Sequence, residues 1–431
     1  MGSTASGSVK FYNSPAGYFG ALAAIVLSIL VAMKIIAINL PSSYIMFIIV
    51  GLVFIVMSVV EFLYLSRHHL DPLSSFAFSL SFGNRLKSTL YRFVALFIPI
   101  LIFYAVTHSL GYYASSKLFK PALEFFEILV AIYAVLGIPY IYITLSYRGA
   151  AKYEYGDYAI LTILMFKSIY KLSTSENKVV MAKYKTILAN RRISKVMLVY
   201  IVNFFFSTLM CRFVVTEFEA LRLAFDHLFS AAYQSYTYSN KLYTWHQIIF
   251  NSIFLVDVSI AIVGYTVASR WLQNRTKSVD GTMFGWWVAI ACYPPFNTMI
   301  SSIFFGGANV HSLDLSDAVL TFIVYASLAM YMLYVWGTVA LGFRFSNLTN
   351  RGIVSSGPYR FVRHPAYISK NISWWLEAPA AFFSPLAAVS MIFWNIIYTL
   401  RAITEERHLS QDVNYESYKT ITKYKFIPGI Y

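Results

Sequence analysis

The residues best suited to chemistry stand in one stretch, Gly357-Pro358-Tyr359-Arg360-Phe361-Val362-Arg363-His364-Pro365-Ala366-Tyr367. A second set follows: Arg401, then Glu405-Glu406, Leu409, Tyr415, Tyr418 and a closing Ile427-Pro428-Gly429-Ile430-Tyr431. Between them lie two short apolar segments, 367–383 and 386–401, parted only by Ser384-Pro385. That pattern reads as a tight helical hairpin, one arm of which need not cross a bilayer fully. A hairpin returns the chain to the side it left, so Arg363 and His364 must come close to Arg401, Glu405 and Glu406. Two fixed cations, an imidazole and two carboxylates then meet at a membrane–water boundary. Such a cluster suits a zwitterionic ligand: carboxylates take an ammonium or ribose hydroxyls, and an arginine fork takes a carboxylate or phosphate. The same groups could equally form a salt-bridge network that only anchors the hairpin, and the residues by themselves leave both readings open.

The rest of the chain must position this cluster within a membrane. Of 431 residues, 58% are hydrophobic and 12% charged, against about 25% charged in soluble domains. The apolar residues come in runs close to the roughly 20 that span a bilayer as a helix. Ten such segments are expected, at 17–40, 43–65, 91–113, 121–147, 196–218, 247–269, 283–306, 318–343, 367–383 and 386–401. The fold class is therefore an all-α, polytopic transmembrane helical bundle of about ten spans. With the N-terminus inside, 28 of the 34 Lys and Arg residues fall in inner segments and four in outer loops (Lys117, Lys120, Arg222, Lys241). That asymmetry matches the positive-inside rule and implies that both termini are cytoplasmic. The net charge of +15 then reflects inner loops facing anionic lipid rather than a nucleic-acid partner. Cys211 and Cys292 sit in apolar runs and imply neither a disulfide framework nor a metal site. Met1 to Ser8 is polar and small, and no cleavable signal peptide is expected. The absence of an internal repeat argues against the inverted-repeat plan of many transporters.

Ionisable residues inside apolar runs are site candidates because each is costly to bury. Lys34, Glu61 and Arg212 lie near span ends and are expected to snorkel, and Asp257 to pair with Arg212; Glu377, in the hairpin beside the motif, is a site candidate with a structural role as the alternative. Cys292-Tyr293-Pro294-Pro295-Phe296 breaks its run and either opens a cavity or makes a packing bend. The inner segment 148–195 reads as an apolar stretch, Tyr158 to Leu172, followed by a basic arm. The outer loop 219–246 reads as an aromatic belt.

Taken in order, Gly-Pro-Tyr-Arg-x-x-Arg-His-Pro-x-Tyr, a short hairpin, Arg-x-x-x-Glu-Glu-x-x-Leu, Tyr-x-x-Tyr and a terminal Pro resemble the isoprenylcysteine carboxyl methyltransferase family. The wider group includes phospholipid methyltransferases. The likeness covers about residues 318–431, so residues 281–431 read as a methyltransferase-like membrane domain. Residues 1–280, about six spans, are an N-terminal region of unassigned role, since the family's enzymes are usually smaller. The resemblance implies an enzyme that binds S-adenosylmethionine in a cytosol-facing pocket and admits a lipid or lipidated acceptor from the bilayer. It assigns Tyr359, His364, Pro365, Tyr367, Glu405 and Glu406 to the donor pocket. It assigns Arg363 and Arg401 to the catalytic work of holding the donor carboxylate or an acceptor anion.

Methyl transfer from a sulfonium needs positioning more than acid–base chemistry. An anionic oxygen acceptor needs no base, whereas an amine would need Glu405 or His364. Two other readings stand beside this one. Membrane sterol reductases carry Arg-His-Pro-x-Tyr and bind NADPH, but where they typically continue Asn-Tyr-Leu-Gly-Asp this chain has Ala366, Ser369 and Lys370 in place of the Asn, Gly and Asp. A transporter or lipid-binding scaffold would use Asp257, Arg212 and the proline break instead.

Overall fold

The computed structural model describes residues 10–68, 82–114, 119–145, 158–269, 271–297, 315–378 and 384–430. Among the described residues the chain is mostly helical, at 78%, and seven helices are long and apolar enough to cross a membrane. They are α2 (Ser42–Arg67), α3 (Phe82–Ser109), α4 (Lys120–Leu145), α7 (Arg191–Leu228), α8 (Tyr238–Thr266), α10 (Asp317–Leu341) and α12 (Pro385–Leu409). Shorter helices are α1 (Ala16–Ala32), α5 (Tyr158–Thr174), α6 (Lys178–Leu188), α9 (Met283–Ile290), α11 (Pro365–Glu377) and α13 (Val413–Ile421).

Three of the ten expected spans take a different form. α1 has 17 residues, about 25 Å at the helical rise. The expected span 283–306 is helical as α9 and again at 296–297; the chain turns between them, at 291–295, and residues 298–306 lie outside the described residues. The first hairpin arm is the 13-residue α11, about 20 Å long, too short for the roughly 30 Å hydrocarbon core. In the other direction, α7 runs 38 residues, about 57 Å, well beyond the bilayer. Most of the expected outer loop 219–246 is thus helix, and the aromatics from Tyr238 onward belong to α8. Part of the expected basic arm is helical too, as α6, capped by the Asn177 side chain accepting from Val179 and Val180 N–H.

The apolar pattern sets the layers. In α8, 78% of the most apolar window is buried, against 17% in α3 and 11% in α4. α8 is therefore the central post, and α3 and α4 turn apolar side chains such as Ile98, Leu101, Val135 and Leu136 outward. The main core joins α1, α2, α7 and α8 through Met57, Phe206, Val214, Leu221 and Val263.

Charged residues inside this core are paired. Glu61 accepts from Arg344 Nη2 at 2.7 Å, with both side chains almost fully buried, so Glu61 does not snorkel. Arg351, 1% exposed, donates to the carbonyls of Gly264 and of Val267, at 3.1 Å for the latter, closing the open C-terminal end of α8. Asp257 accepts from Tyr334 Oη at 2.8 Å and Thr338 Oγ1 at 2.5 Å on α10. Its partner is not Arg212, which lies over the ring of Phe119 at 4.8 Å. Lys34 does reach outward, to an exposed Asp226 at 2.7 Å.

A short antiparallel ribbon, β1 (Ser278–Val279) and β2 (Thr349–Asn350), ties the segment after α8 to the segment after α10. Lys277 N–H to Asn350 O at 2.7 Å and Asp280 N–H to Leu348 O at 2.8 Å extend it. This ribbon fixes residues 280 and 346–349 beside the C-terminal half of α12.

Candidate active site

Pro365 occupies the first turn of α11, where its missing N–H costs nothing and its fixed φ suits the helix. His364 precedes it, and Tyr367 N–H bonds back to the His364 carbonyl at 3.2 Å. The His364 and Tyr367 rings lie stacked, 5.4 Å apart and 5° from parallel. α12 meets them with residues spaced by three and four positions, so Tyr398, Arg401, Glu405 and His408 share one face.

That face walls a narrow cleft lined by Asp280, Asn347, Tyr367, Arg401, Glu405 and His408 among others, with about 30 Å³ of open space. Tyr367 Oη donates to Glu405 Oε2 at 2.6 Å. The Glu405 side chain is nevertheless 40% exposed. Arg401 is buried and donates through Nη2 to Asn347 Oδ1. Its guanidinium is boxed by the rings of Tyr367, Tyr293 and Tyr398, at 5.2, 5.6 and 5.8 Å. Asn347 is held in turn by Tyr265 Oη, which accepts from its N–H at 2.9 Å and its Nδ2 at 2.6 Å. A buried guanidinium with most of its five donors unspent is suited to a carboxylate or phosphate.

The other predicted residues converge next to the cleft rather than in it. Arg363 Nε donates to Glu406 Oε1 at 2.6 Å, and His364 Nε2 lies 3.2 Å from the same oxygen. Lys425 Nζ reaches Glu406 Oε2 at 3.2 Å. Arg363 Nη1 also donates to the carbonyls of Thr422 and Lys423, at 2.9 and 2.7 Å. Arg363 and His364 N–H bond to the carbonyls of Tyr424 and Lys425. These contacts strap the C-terminal segment across the motif, with Glu406 as the knot. Tyr359 is behind: its carbonyl accepts from Tyr418 Oη at 2.7 Å and Thr422 Oγ1 at 3.0 Å. Of the eight residues expected to form the site, Tyr367, Arg401 and Glu405 line the cleft. Arg363, His364 and Glu406 brace it, and Tyr359 and Pro365 support the brace.

Sequence reasoning passed over Asp280, Asn347 and His408. His408 Nε2 lies 2.9 Å from Ser278 Oγ on the ribbon; its position three residues after Glu405 was the available signal. Asp280 and Asn347 reach the cleft through β1 and β2, two-residue strands that carry no periodicity to read.

A second space adjoins the first. A cavity of about 370 Å³ lies between Cys292, Lys370, Trp374, Glu377, Trp394 and Tyr398, with Asn297, Ala378 and Met391 completing its lining. The turn after α9 thus borders a cavity, and Glu377 lines it too. Glu377 accepts from Tyr331 Oη at 2.8 Å and Ser327 Oγ at 3.3 Å, with His246 Nε2 at 3.3 Å. Tyr398 and Tyr367, whose ring centroids are 5.6 Å apart, separate the two spaces.

At the outer margin of the cleft, Asp412 anchors the ribbon to the segment after α12. Burial pushes its carboxyl up. Hydrogen bonds from Asn350 and the ammonium of Lys277, with help from Asn414, outweigh that and hold it below its usual value.

No curated protein and no solved structure matches the chain. Residues 318–411, which carry much of the cleft, match the model of the isoprenylcysteine carboxyl methyltransferase family, whose members are membrane-embedded, S-adenosylmethionine-dependent methyltransferases.

Proposed function

We propose that this protein transfers a methyl group from S-adenosylmethionine to an anionic oxygen of a lipid-borne acceptor at the cytoplasmic face of its membrane. The observation that carries the reading is one of overlap. The family-matched segment contributes Tyr367, Arg401 and Glu405, and these three line a single cleft.

The groups in the cleft fit the donor's charges. Glu405 offers a half-exposed carboxylate to its ammonium or ribose hydroxyls, and Arg401 offers a guanidinium to its carboxylate. The cleft as it stands has room for about one water, so a donor enters only as the cleft widens. Bound there, S-adenosylmethionine supplies a methyl group already activated on a sulfonium. The protein's own residues then hold, align and keep dry. Tyr367 fixes Glu405, Tyr265 fixes Asn347, Asn347 fixes Arg401, and the Glu406 knot fixes the start of α11. An acceptor oxygen that is already ionised needs no general base. The imidazoles nearby are engaged, His364 with Glu406 and His408 with Ser278.

The test uses purified full-length protein, tritiated donor and a membrane lipid extract, followed by mild base. Label in the lipid fraction that leaves as volatile methanol marks a carboxyl ester. Label that resists base but stays on an acidic lipid marks a phosphate ester. Label on nitrogen or sulfur would overturn the oxygen assignment, and no transfer to any lipid would overturn the proposed reaction.

A further inference from the structure

Lys370 is used by nothing described so far. It lies one turn beyond Tyr367 and one turn before Trp374 on α11, and it lines the 370 Å³ cavity. Its ammonium is surrounded by π-faces, with the ring centroids of Tyr334, Trp374 and Phe254 at 4.9, 5.6 and 5.9 Å. Among the described residues, no carboxylate or carbonyl stands within hydrogen-bond range of Nζ. The Asp257 carboxylate acts on it from further off, and that carboxylate is already committed to Tyr334 and Thr338.

The charges that share the cavity are unequally satisfied. Glu377 accepts from Tyr331 and Ser327, with the His246 imidazole 3.3 Å away. Lys370 has aromatic faces only, which favour a cation but do not replace a counter-ion. An ammonium at this depth without a close anionic partner is expensive and marks a ligand position by default. Of the remaining lining, Trp374, Ala378, Met391 and Trp394 are apolar and suit a hydrocarbon chain, beside the polar Asn297. The position is also right for transfer: Tyr398 borders the cavity, Tyr367 borders the cleft, and Arg401 lies against both rings.

We infer that Lys370 is the anion-binding residue of the acceptor chamber, and that the cavity takes a single-chain lipid whose headgroup is a carboxylate or a phosphate. This rests on the methyltransferase reading for its purpose but not for its test. Arg363 is spent on the C-terminal strap and Arg401 faces the donor cleft, which leaves Lys370, on the cavity side of the Tyr367–Tyr398 pair, to hold the acceptor anion.

The experiment uses full-length protein in phosphatidylcholine nanodiscs and three brominated probes of equal chain length: a fatty acid, an alkyl phosphate and a fatty alcohol. Bromine quenches tryptophan on contact, and Trp374 and Trp394 line the chamber. The wild type should bind the acid or the phosphate at least tenfold more tightly than the alcohol, and which of the two is preferred identifies the headgroup. Lys370→Gln and Lys370→Met should lose that preference, and Lys370→Arg should keep most of it. Removing one of 34 basic residues barely alters the protein's general attraction for anions, so a tenfold loss reports the chamber. Equal binding of acid, phosphate and alcohol by the wild type, or an unchanged preference in both charge-removing variants, would overturn the inference. S-adenosylmethionine titrated into the same samples by calorimetry separates the two claims. Donor binding without an anion preference sinks the Lys370 assignment alone, whereas an anion preference without donor binding leaves Lys370 standing and sinks the methyltransferase reading.

Discussion

Glu405 and Glu406 are neighbours in sequence with different work. Successive residues on a helix point about 100° apart, so one carboxylate faces the cleft and the other faces the C-terminal segment. Glu406→Gln should therefore act on stability. It leaves Arg363, His364 and Lys425 short of their counter-charge, at a cost of about 2 kcal/mol, visible as a lower unfolding temperature in detergent with donor affinity per folded molecule nearly intact. A Glu406→Gln protein that melts like the wild type but no longer binds donor would reverse the assignment. Asp412 gives a pH signature at the same scale. Its carboxyl is held below the usual value in the fold, so its contribution is complete above the unfolded value. That contribution is lost as pH falls through the folded one, below about pH 4. Unfolding temperatures measured between pH 3 and 6 should fall less steeply for Asp412→Asn than for the wild type. The two ends of the hairpin were legible in the sequence because a hairpin forces them together. Which of two adjacent carboxylates faces which neighbour was not, because the phase of α12 is set by packing against α11 and the ribbon.

At the scale of elements, close crossings depend on glycine. A Cβ on Gly17 would stand 1.9 Å from the Val339 carbonyl oxygen, and one on Gly264 would stand 2.6 Å from that of Phe345. Small residues let membrane helices approach this closely. Gly17→Ala should push α1 away from α10 and lower the unfolding temperature by several degrees. Gly51→Ala, whose added methyl would meet nothing within 4 Å, should not. Equal unfolding temperatures for the two variants would show that α1 does not cross α10 as described. Hydropathy located the apolar runs but not the helix ends. α7 extends past the bilayer through residues such as Glu219, Arg222 and Asp226 that read as loop by polarity alone. The expected span at 283–306 was a run of apolar composition in which the described helix stops at Ile290, before the prolines. The pairing of Glu61 with Arg344 was likewise invisible, since no local pattern connects residues 283 positions apart.

The molecule as a whole combines a family-matched C-terminal region with a larger N-terminal helical region, and the cleft borrows from both. Tyr265 orients Asn347, and Asp257 shares α8 with Phe254, one of the three rings that flank Lys370. We propose that both termini and the segment containing α6 are cytoplasmic, on the strength of the basic-residue asymmetry. Single cysteines placed at the exposed Lys185 and Lys423 should resist an impermeant maleimide in sealed cells and react after permeabilisation, while one at Ala231 should react in both; the opposite pattern would invert the topology. Whether the cleft between the ribbon and α12 binds a methyl donor is decided by calorimetric titration of S-adenosylmethionine and NADPH into the purified full-length protein. The account predicts saturable binding of S-adenosylmethionine, none of NADPH, and at least a tenfold weakening in Glu405→Gln, about 1.4 kcal/mol, as for a lost charge-assisted hydrogen bond. NADPH binding in its place, or S-adenosylmethionine binding that Glu405→Gln leaves unchanged, would contradict it.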